Sequence, residues 1–197
     1  MTDYSQSQEQ ESILKAVGQT PGRFLDIGAY DGNHFSNTRC LLERDWTGVM
    51  VEPALESFLA LLKNHGENPK ATLVHALIGV ERGFTKFWDS PGCVSTTVES
   101  WFQRWQPQAK DYHPPFLVPS ITLEELLMWL PGSVDFLSID AEGISAKLFL
   151  QFPLEKYLPK VVCVEYDEDM QACKTYGEAH GYKVVQHNNE NLVMVHD

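Results

Sequence analysis

The chain has 197 residues, of which 43% are apolar and 21% charged, a composition typical of one folded domain and not of a disordered chain. Its 27 acidic and 15 basic side chains give a formal net charge of −12. Proteins that bind nucleic acid present clustered Lys and Arg to the phosphates, and because the sequence has no such cluster we expect no nucleic-acid partner.

Seven apolar runs of strand length follow one another along the chain. They are RFLDIGA (23–29), TGVMVEP (47–53), ATLVHALIG (71–79), VDFLSIDAEG (134–143), KVVCVEYD (160–167), YKVVQH (182–187) and NLVMVHD (191–197). The first five are nearly continuous in apolar content, which indicates parallel strands buried on both faces of a sheet. The turn-forming NNEN between the last two predicts an antiparallel hairpin at one edge.

Amphipathic segments of helix length separate these runs, at 6–17, 36–44, 54–64, 123–130, 144–152 and 168–181. The alternation predicts one α/β domain over 1–197, in which residues 1–20 form a helical lead-in. The predicted architecture is a Rossmann-like sandwich with a mostly parallel central sheet, helices on both faces and the C-terminal antiparallel hairpin.

The segment 83–120 interrupts the alternation, because it is rich in aromatic residues and prolines and carries neither period. We expect it to be irregular. A long irregular insert in a compact domain is usually a lid or a binding loop, and here it would cover the substrate. The alternative is a surface excursion whose aromatic side chains pack against the core.

The chain has four cysteines, at Cys40, Cys93, Cys163 and Cys173, which form no C-x-x-C pair and match no zinc spacing. The N-terminal MTDYSQSQEQES has neither the basic nor the apolar region of an export signal. All apolar runs are shorter than a membrane span. We therefore expect a cytoplasmic protein with reduced, buried thiols and no membrane contact.

Acidic residues end four of the first five predicted strands. They are Asp26 and Asp31, Glu52, Asp140 and Glu142, and Glu165. In an open α/β sheet ligands bind at the carboxyl ends of the strands, and a buried carboxylate without a partner is costly. Together these acids predict a ligand site. Each by itself could instead cap a helix N-terminus, where negative charge is favourable.

The turn FLDIGAYDG (24–32) narrows the choice of ligand. Its glycines have the spacing Gly28-x-x-x-Gly32, Tyr30 replaces the middle glycine of a dinucleotide motif, and Asp31 would repel a pyrophosphate. A cationic ligand without phosphate suits the turn better, and S-adenosylmethionine is such a ligand. Glu52, at the end of the second strand, is placed to accept hydrogen bonds from both ribose hydroxyls.

Three motifs in order, FLDIGAYDG, GVMVEP and SIDAEG, resemble those of the FkbM family of S-adenosylmethionine-dependent methyltransferases. The segments SITLEELL, VVCVEYD and GYKVVQHNNENLVMVHD also resemble that family, so the likeness extends from Arg23 to the C-terminus. It implies the class I methyltransferase form of the predicted sandwich, with S-adenosylmethionine as cofactor.

The resemblance also implies roles for individual residues. The cofactor would be bound by Asp26, Gly28, Ala29, Tyr30, Asp31, Gly32, Glu52, Pro53, Ala76, Leu77 and Asp140. Within this set the glycine turn would surround the methionine part and Glu52 would hold the ribose. His75 and Ala76 would lie near the adenine, with the backbone of Ala76 and Leu77 replacing the acid that relatives of the wider fold use there.

Asp140 and Glu142 would lie beside the transferred methyl group, where the acceptor enters. A hydroxyl acceptor needs a base, and Asp140, Glu142 and His34 are the catalytic candidates, with Glu165 as a further one. If the two acids converge, their like charges should raise the pKa of one of them. Together with Glu165 they could instead hold a divalent metal, which we do not predict, and His34 could simply belong to a helix start.

The predicted function is methyl transfer from S-adenosylmethionine to a hydroxyl group of a carbohydrate or another small molecule. Two alternatives stay open. The protein could bind the cofactor as an accessory subunit without catalysis, or it could be an oxidoreductase with a nucleotide cofactor. A nicotinamide-binding test would settle the oxidoreductase reading. The accessory reading predicts cofactor binding that is indifferent to replacing Asp140 and Glu142 by Ala, with no acceptor turned over.

Overall fold

The computed structural model describes residues 2–109, 111–130 and 132–196. Its strands are β1 Arg23–Ile27, β2 Thr47–Val51, β3 Ala71–Val74, β4 Leu77–Gly79, β5 Gly83–Phe87, β6 Phe116–Thr122, β7 Phe136–Ile139, β8 Val161–Glu165, β9 Tyr182–His187 and β10 Asn191–His196. Its helices are α1 Glu9–Val17, α2 Arg39–Leu42, α3 Leu55–His65, α4 Glu99–Trp105, α5 Leu123–Trp129, α6 Ser145–Gln151, α7 Leu154–Tyr157 and α8 Met170–Ala179. None of the described helices is long and apolar enough to cross a membrane.

Seven strands form the main sheet, in the order β3-β2-β1-β7-β8-β10-β9. Five strands, β3, β2, β1, β7 and β8, are parallel to one another. The strands β10 and β9 add an antiparallel hairpin at the edge beyond β8. The predicted fold class and hairpin are therefore confirmed. The predicted strand over 191–197 is β10 except for Asp197, which lies outside the described residues.

The central strands β1, β7 and β8 are buried on both faces, as their continuous apolar runs predicted, whereas β3 and β9 at the two edges are partly exposed. Successive residues of β1 pack into different clusters, Phe24 with Met50 and Phe136 on one face and Leu25 with Leu137 on the other. Burial of both faces leaves the strand ends as the places where polar side chains can lie. The register aligns Ile27 of β1 with neighbours in β2 and β7, so the carboxyl ends of these strands meet at one edge.

The predicted strand 71–79 was wrong as a single element. β3 ends at Val74, and β4 begins at Leu77 and belongs to a second sheet of order β4-β6-β5. The break falls at His75 and Ala76, where the chain leaves the main sheet. Apolar content reports burial and not which sheet a residue joins, so the run carried no sign of this change of partner.

The segment 83–120 is more regular than expected. It contains β5, α4 and most of β6, although Lys110 lies outside the described residues. β5 and β6 pair antiparallel, and the aromatic ring of Phe102 stacks on Trp88 and meets Tyr112 edge-on. The predicted helix at 36–44 was too long, since α2 has four residues.

Helix α5 begins with a capping box, which fixes the connection from β6. Thr122 Oγ1 accepts from the Glu125 backbone N–H at 3.2 Å, and Glu125 Oε2 accepts from the Thr122 N–H at 2.9 Å. We expect Thr122→Ala to lower the free energy of unfolding by about 1 kcal/mol, because a cap of this kind is lost. Urea unfolding measures it against the exposed Thr20→Ala, and equal effects of the two changes would contradict the capping role.

Candidate active site

The glycine turn after β1 brings two strand ends into contact. Gly28 has a φ of 84°, and a Cβ there would lie 1.6 Å from the carbonyl oxygen of Asp140. The Gly28 and Ala29 N–H groups both donate to the Val51 carbonyl, at 2.9 and 3.0 Å, and Asp140 N–H donates to the Ile27 carbonyl at 2.8 Å. The turn therefore needs glycine because the loop after β7 lies directly against it.

Asp26 lies beneath this turn and is 4% exposed. Its Oδ2 accepts a hydrogen bond of 2.6 Å from Thr38 Oγ1. Burial raises its pKa to about 6, although hydrogen bonds from Thr38 and Ser138 oppose that rise. A carboxyl group in this environment is poised to pair with a positive or hydrogen-bond-donating ligand.

Glu52 is the acid at the end of β2, and it is 6% exposed. One oxygen accepts from the Tyr30 N–H at 2.9 Å and the other from the Ala54 N–H at 2.8 Å, the residue before α3. A carboxylate can accept about four hydrogen bonds, so capacity for two ligand donors remains. Burial raises the pKa of Glu52 to about 7, since the two backbone hydrogen bonds compensate only partly.

Asp31 and His34 form a local pair behind the turn. Asp31 Oδ1 accepts from the backbone N–H groups of Asn33 and His34, and its Oδ2 lies 2.6 Å from His34 Nδ1. Burial alone would raise the pKa of Asp31, but the His34 and Asn33 hydrogen bonds outweigh it and lower the pKa. His34 is not part of a helix, since α2 begins at Arg39, and its side chain is 77% exposed.

The loop after β7 and the end of β8 bring three carboxyl groups together. Oxygen atoms of Asp140, Glu142 and Glu165 lie within 4.8 Å of one another. Asp140 and Glu165 are hydrogen-bonded to each other, and Glu165 Oε2 also accepts from Ser145 Oγ at 2.9 Å. The predicted convergence of Asp140 and Glu142 is thus present, and Glu165 joins it because β7 and β8 are neighbours in the sheet.

Burial and like charge act in the same direction in this carboxyl cluster. Burial, followed by the charges of Asp140 and Asp167, raises the pKa of Glu142 to about 9 against a hydrogen bond from Trp101. Burial likewise raises the pKa of Asp140 to about 6, and the hydrogen bond with Glu165 limits the rise. The pKa of Glu165 is raised well above its usual value, by burial and then by Asp140. At neutral pH the cluster therefore holds protons as well as charge.

Backbone contacts hold Glu142 in its position. It has a φ of 38°, and its carbonyl accepts from Thr96 Oγ1 at 2.6 Å. The Asp167 carboxylate accepts from the N–H groups of Gly143 and Ala146, at 2.9 Å each. Asp167 thus caps the start of α6 and fixes the loop that carries Glu142.

A cavity of about 260 Å³ lies between the glycine turn and the carboxyl cluster, large enough for more than a few waters. Its wall includes most of the predicted cofactor residues, Asp26, Gly28, Ala29, Tyr30, Glu52, Pro53, Ala76, Leu77 and Asp140. The catalytic candidates Glu142, His34 and Glu165 line it too. Asp31 and Gly32 do not line the cavity. Asp31 accepts hydrogen bonds from the backbone N–H groups of Asn33 and His34, and Gly32 has a φ of 72°, so both belong to the structure of the turn.

His75 lies outside this wall, contrary to the expectation that it would be near the adenine. It is exposed, its Nε2 lies 3.1 Å from the Pro53 carbonyl, and its ring stacks on Phe58 with centroids 4.6 Å apart. The chain turns at His75 to leave the main sheet, so its side chain points away from the cavity that Ala76 lines. His75 instead supports the loop that carries Pro53.

The segment after β5 forms part of the cavity wall. Residues 92–97 and Trp105 line it, whereas Trp101 packs against Gly143 and is 9% exposed. Each of the two expectations for the segment 83–120 thus fits one tryptophan of α4. Trp101 is packed in the interior, and Trp105 lines the cavity. Cys93 also lines the cavity and is exposed, so the expectation of four buried thiols fails at this position while all four cysteines are free.

Three polar residues that the sequence reading missed also face the cavity. Asn37, Asn191 and Glu190 line it, and Asn37 and Asn191 are 7% and 3% exposed. Asn37 follows the turn in a short irregular stretch, and the other two come from the hairpin. The sequence contained a signal for Asn191, because this residue begins the strand that pairs with β8, and β8 ends at the acidic Glu165. Among the described residues of the wall there is no Lys or Arg.

The chain resembles known methyltransferase folds. The FkbM protein of Methylobacillus flagellatus KT is 12% identical with a TM-score of 0.57, over 90% of this chain and 44% of that one. This chain therefore spans less than half the length of that protein. A putative tRNA (m1A22) methyltransferase from Streptococcus pneumoniae, Sp1610, is 15% identical with a TM-score of 0.50, over 96% and 70% of the two chains. These likenesses concern the fold.

A third solved structure, of an NADB-Rossmann superfamily protein from Streptococcus agalactiae, is 13% identical with a TM-score of 0.51, over 98% of this chain and 70% of that one. No curated protein matches the chain significantly. The family description "Methyltransferase FkbM domain" matches residues 26–184, which include the glycine turn, Glu52 and the carboxyl cluster. The family identified from the three sequence motifs is confirmed: this chain belongs to the FkbM methyltransferase family, whose methyl donor is S-adenosylmethionine.

Proposed function

We propose that the protein transfers a methyl group from S-adenosylmethionine to a hydroxyl group of an uncharged small molecule, such as a carbohydrate. The buried Glu52 carboxylate on the wall of the cavity carries this proposal. Both of its oxygens are oriented by backbone N–H groups and retain capacity for a ribose diol. Asp26 and the glycine turn supply a negative and closely fitting environment for the cationic part of the cofactor.

The charge of the cavity supports the choice of acceptor. The described wall contains carboxyl groups and one histidine and no Lys or Arg, so a phosphorylated or carboxylated acceptor would find no cationic partner. The same absence disfavours a pyrophosphate-containing cofactor and a nucleic-acid acceptor. Trp105 offers an aromatic face of the kind on which sugar rings stack.

The carboxyl cluster supplies the acid–base chemistry. S-adenosylmethionine would supply a methyl group activated on a sulfonium: the acceptor oxygen would bond to the methyl carbon as the C–S bond breaks and S-adenosylhomocysteine leaves. Asp140, whose pKa is raised to about 6, is largely ionised at neutral pH and takes the proton of the acceptor hydroxyl. Glu142, whose pKa is raised to about 9, keeps its proton and donates a hydrogen bond. Two carboxyl groups with separated pKa values can thus divide the roles.

We also propose a cytoplasmic location, and the free thiols of Cys40, Cys93, Cys163 and Cys173 support it because a reducing compartment keeps thiols unpaired.

Calorimetric titration tests the cofactor site. We expect S-adenosylmethionine and S-adenosylhomocysteine to bind with micromolar affinity and NAD not to bind. Glu52→Ala should abolish binding, and the exposed Glu56→Ala on the neighbouring helix should not change it. Absence of binding to the wild type, or tight binding to Glu52→Ala, would contradict the proposal. Binding without methylation of any acceptor would favour the accessory role.

The affinity for S-adenosylhomocysteine should depend on pH through Glu52. Its pKa is about 7 in the free protein, and ribose hydroxyls donate to the ionised form, so binding lowers that pKa. Affinity should therefore rise about tenfold from pH 6 to pH 8 and then level, because protonated Glu52 must first lose its proton. Calorimetry at each pH measures this. Glu52→Gln should bind weakly and lose most of the dependence, and a flat wild-type profile would contradict it.

A further inference from the structure

The carboxyl cluster of Asp140, Glu142 and Glu165 offers oxygen atoms alone, and their separation suits one shared ion. Oxygen atoms bound to a Ca²⁺ or Mn²⁺ ion at roughly 2.1–2.6 Å can lie at most about twice that far apart. The observed limit of 4.8 Å falls within this range. The three groups come from two neighbouring strand ends, so the sheet itself sets their spacing.

Asn191 gives an independent indication of a ligand. It is 3% exposed, lines the same cavity and lies directly opposite Glu165 in the antiparallel pairing of β10 with β8. Directly paired residues project from the same face of a sheet, so their side chains are neighbours. The amide nitrogen of Asn191 donates to Glu9 Oε1 at 2.9 Å, which assigns the remaining atom as Oδ1. That oxygen is buried and has no hydrogen-bond partner.

Glu142 Oε2 is a second buried acceptor without a partner. Asn191 Oδ1 can only accept, and so can Glu142 Oε2 when that carboxyl group is ionised, so a partner shared by both atoms must supply hydrogen-bond donors or positive charge. The described wall has no Lys or Arg to supply it, and Glu190 adds a further acid there. Carboxylate and amide oxygens are hard ligands, which Mg²⁺, Mn²⁺ and Ca²⁺ prefer over the nitrogen and sulfur ligands typical of zinc.

We propose that Asp140, Glu142, Glu165 and the Oδ1 of Asn191 form a binding site for one hard divalent cation on the wall of the cavity. The ion neutralises the cluster and satisfies the two orphan oxygens. Without the ion, the hydrogen bond between Asp140 and Glu165 requires a shared proton. The site lies on the same cavity as Glu52 and shares Asp140 with the predicted cofactor residues, but its binding of an ion can be tested without cofactor or acceptor.

Titration of the metal-free protein with MnCl₂ tests this, by calorimetry and by the loss of the free Mn²⁺ electron paramagnetic resonance signal. We expect one Mn²⁺ per chain with a dissociation constant below about 1 mM. Glu142→Gln and Asn191→Ala should each weaken binding at least tenfold. The exposed Glu67→Gln serves as the matched control and should bind as the wild type does.

Circular dichroism verifies that each variant is folded, and Glu142→Gln keeps the test valid if Asn191→Ala, which also frees Glu9, unfolds. Failure of the wild type to bind Mn²⁺ up to 1 mM, or equal binding by all variants, overturns the metal site. Parallel titration with S-adenosylhomocysteine separates the two proposals. Cofactor binding without Mn²⁺ binding leaves the proposed function intact, and Mn²⁺ binding without cofactor binding does the reverse.

Discussion

Gly28→Ala should destabilise the protein by more than about 4 kcal/mol and in practice prevent folding at 37 °C. A Cβ at this position would lie 1.6 Å from the Asp140 carbonyl oxygen, which is an atomic overlap and not a tight contact. The φ of 84° adds about 1–2 kcal/mol for any side chain in the left-handed region. Relief would require β1 and β7 to separate, and both strands lie in the centre of the buried sheet.

Gly18→Ala provides the matched control for this prediction. Gly18 has a φ of 75°, close to that of Gly28, but a Cβ there meets nothing within 4 Å. Its ψ of −152° places it in a region that only glycine adopts readily, so it should show the backbone cost alone, about 1–3 kcal/mol. Urea unfolding of both variants measures the difference. A Gly28→Ala protein no less stable than Gly18→Ala would mean that the turn does not press against the loop of Asp140.

Asp140→Asn should reduce methyl transfer by about 10²–10⁴-fold, far more than it lowers the affinity for S-adenosylhomocysteine. The amide keeps the size of the side chain but cannot take the acceptor proton. Glu142→Gln should cost less than about tenfold, because Glu142 is already protonated at neutral pH and the amide also donates a hydrogen bond. This difference between neighbouring acids follows from the proposed division of roles.

Turnover is measured with methyl-labelled S-adenosylmethionine and an acceptor that takes up the label. The exposed Asp111→Asn serves as the control. If Glu142→Gln proved as damaging as Asp140→Asn, the base would have to be reassigned. If both variants were fully active, the cluster would serve binding of a cation or acceptor and not proton transfer.

The sequence predicted the fold well for those strands whose own apolar pattern shows that they lie in the buried part of the sheet. The central strands β1, β7 and β8 of the parallel sheet are buried on both faces, so their apolar content identified them without knowledge of their neighbours. The acids at 26, 52, 140 and 165 could be assigned to one edge for the same reason, because strands of a parallel sheet end on the same side. The family motifs added an expectation of what Asp26, Glu52 and Asp140 bind.

The departures arose where pairing decides the structure. The run 71–79 reads as one strand, yet it divides at His75 between two sheets, because apolar content does not reveal the partner strand. The segment 83–120 looked irregular because β5 and β6 are partly exposed and belong to a small three-stranded sheet. Prolines and scattered aromatic residues hid their alternation.

The sequence by itself determined the family, the acidic residues that end the strands, and the glycine turn, because these depend on residue type at a fixed spacing. Only the tertiary structure decided that Asp140, Glu142 and Glu165 share one cluster, that Asn191 of β10 pairs with Glu165 of β8, and that Asp31 and His75 do not line the cavity. These facts depend on the register between strands and on burial. Burial sets the pKa values, and register sets which oxygens meet, and neither is written in the local pattern.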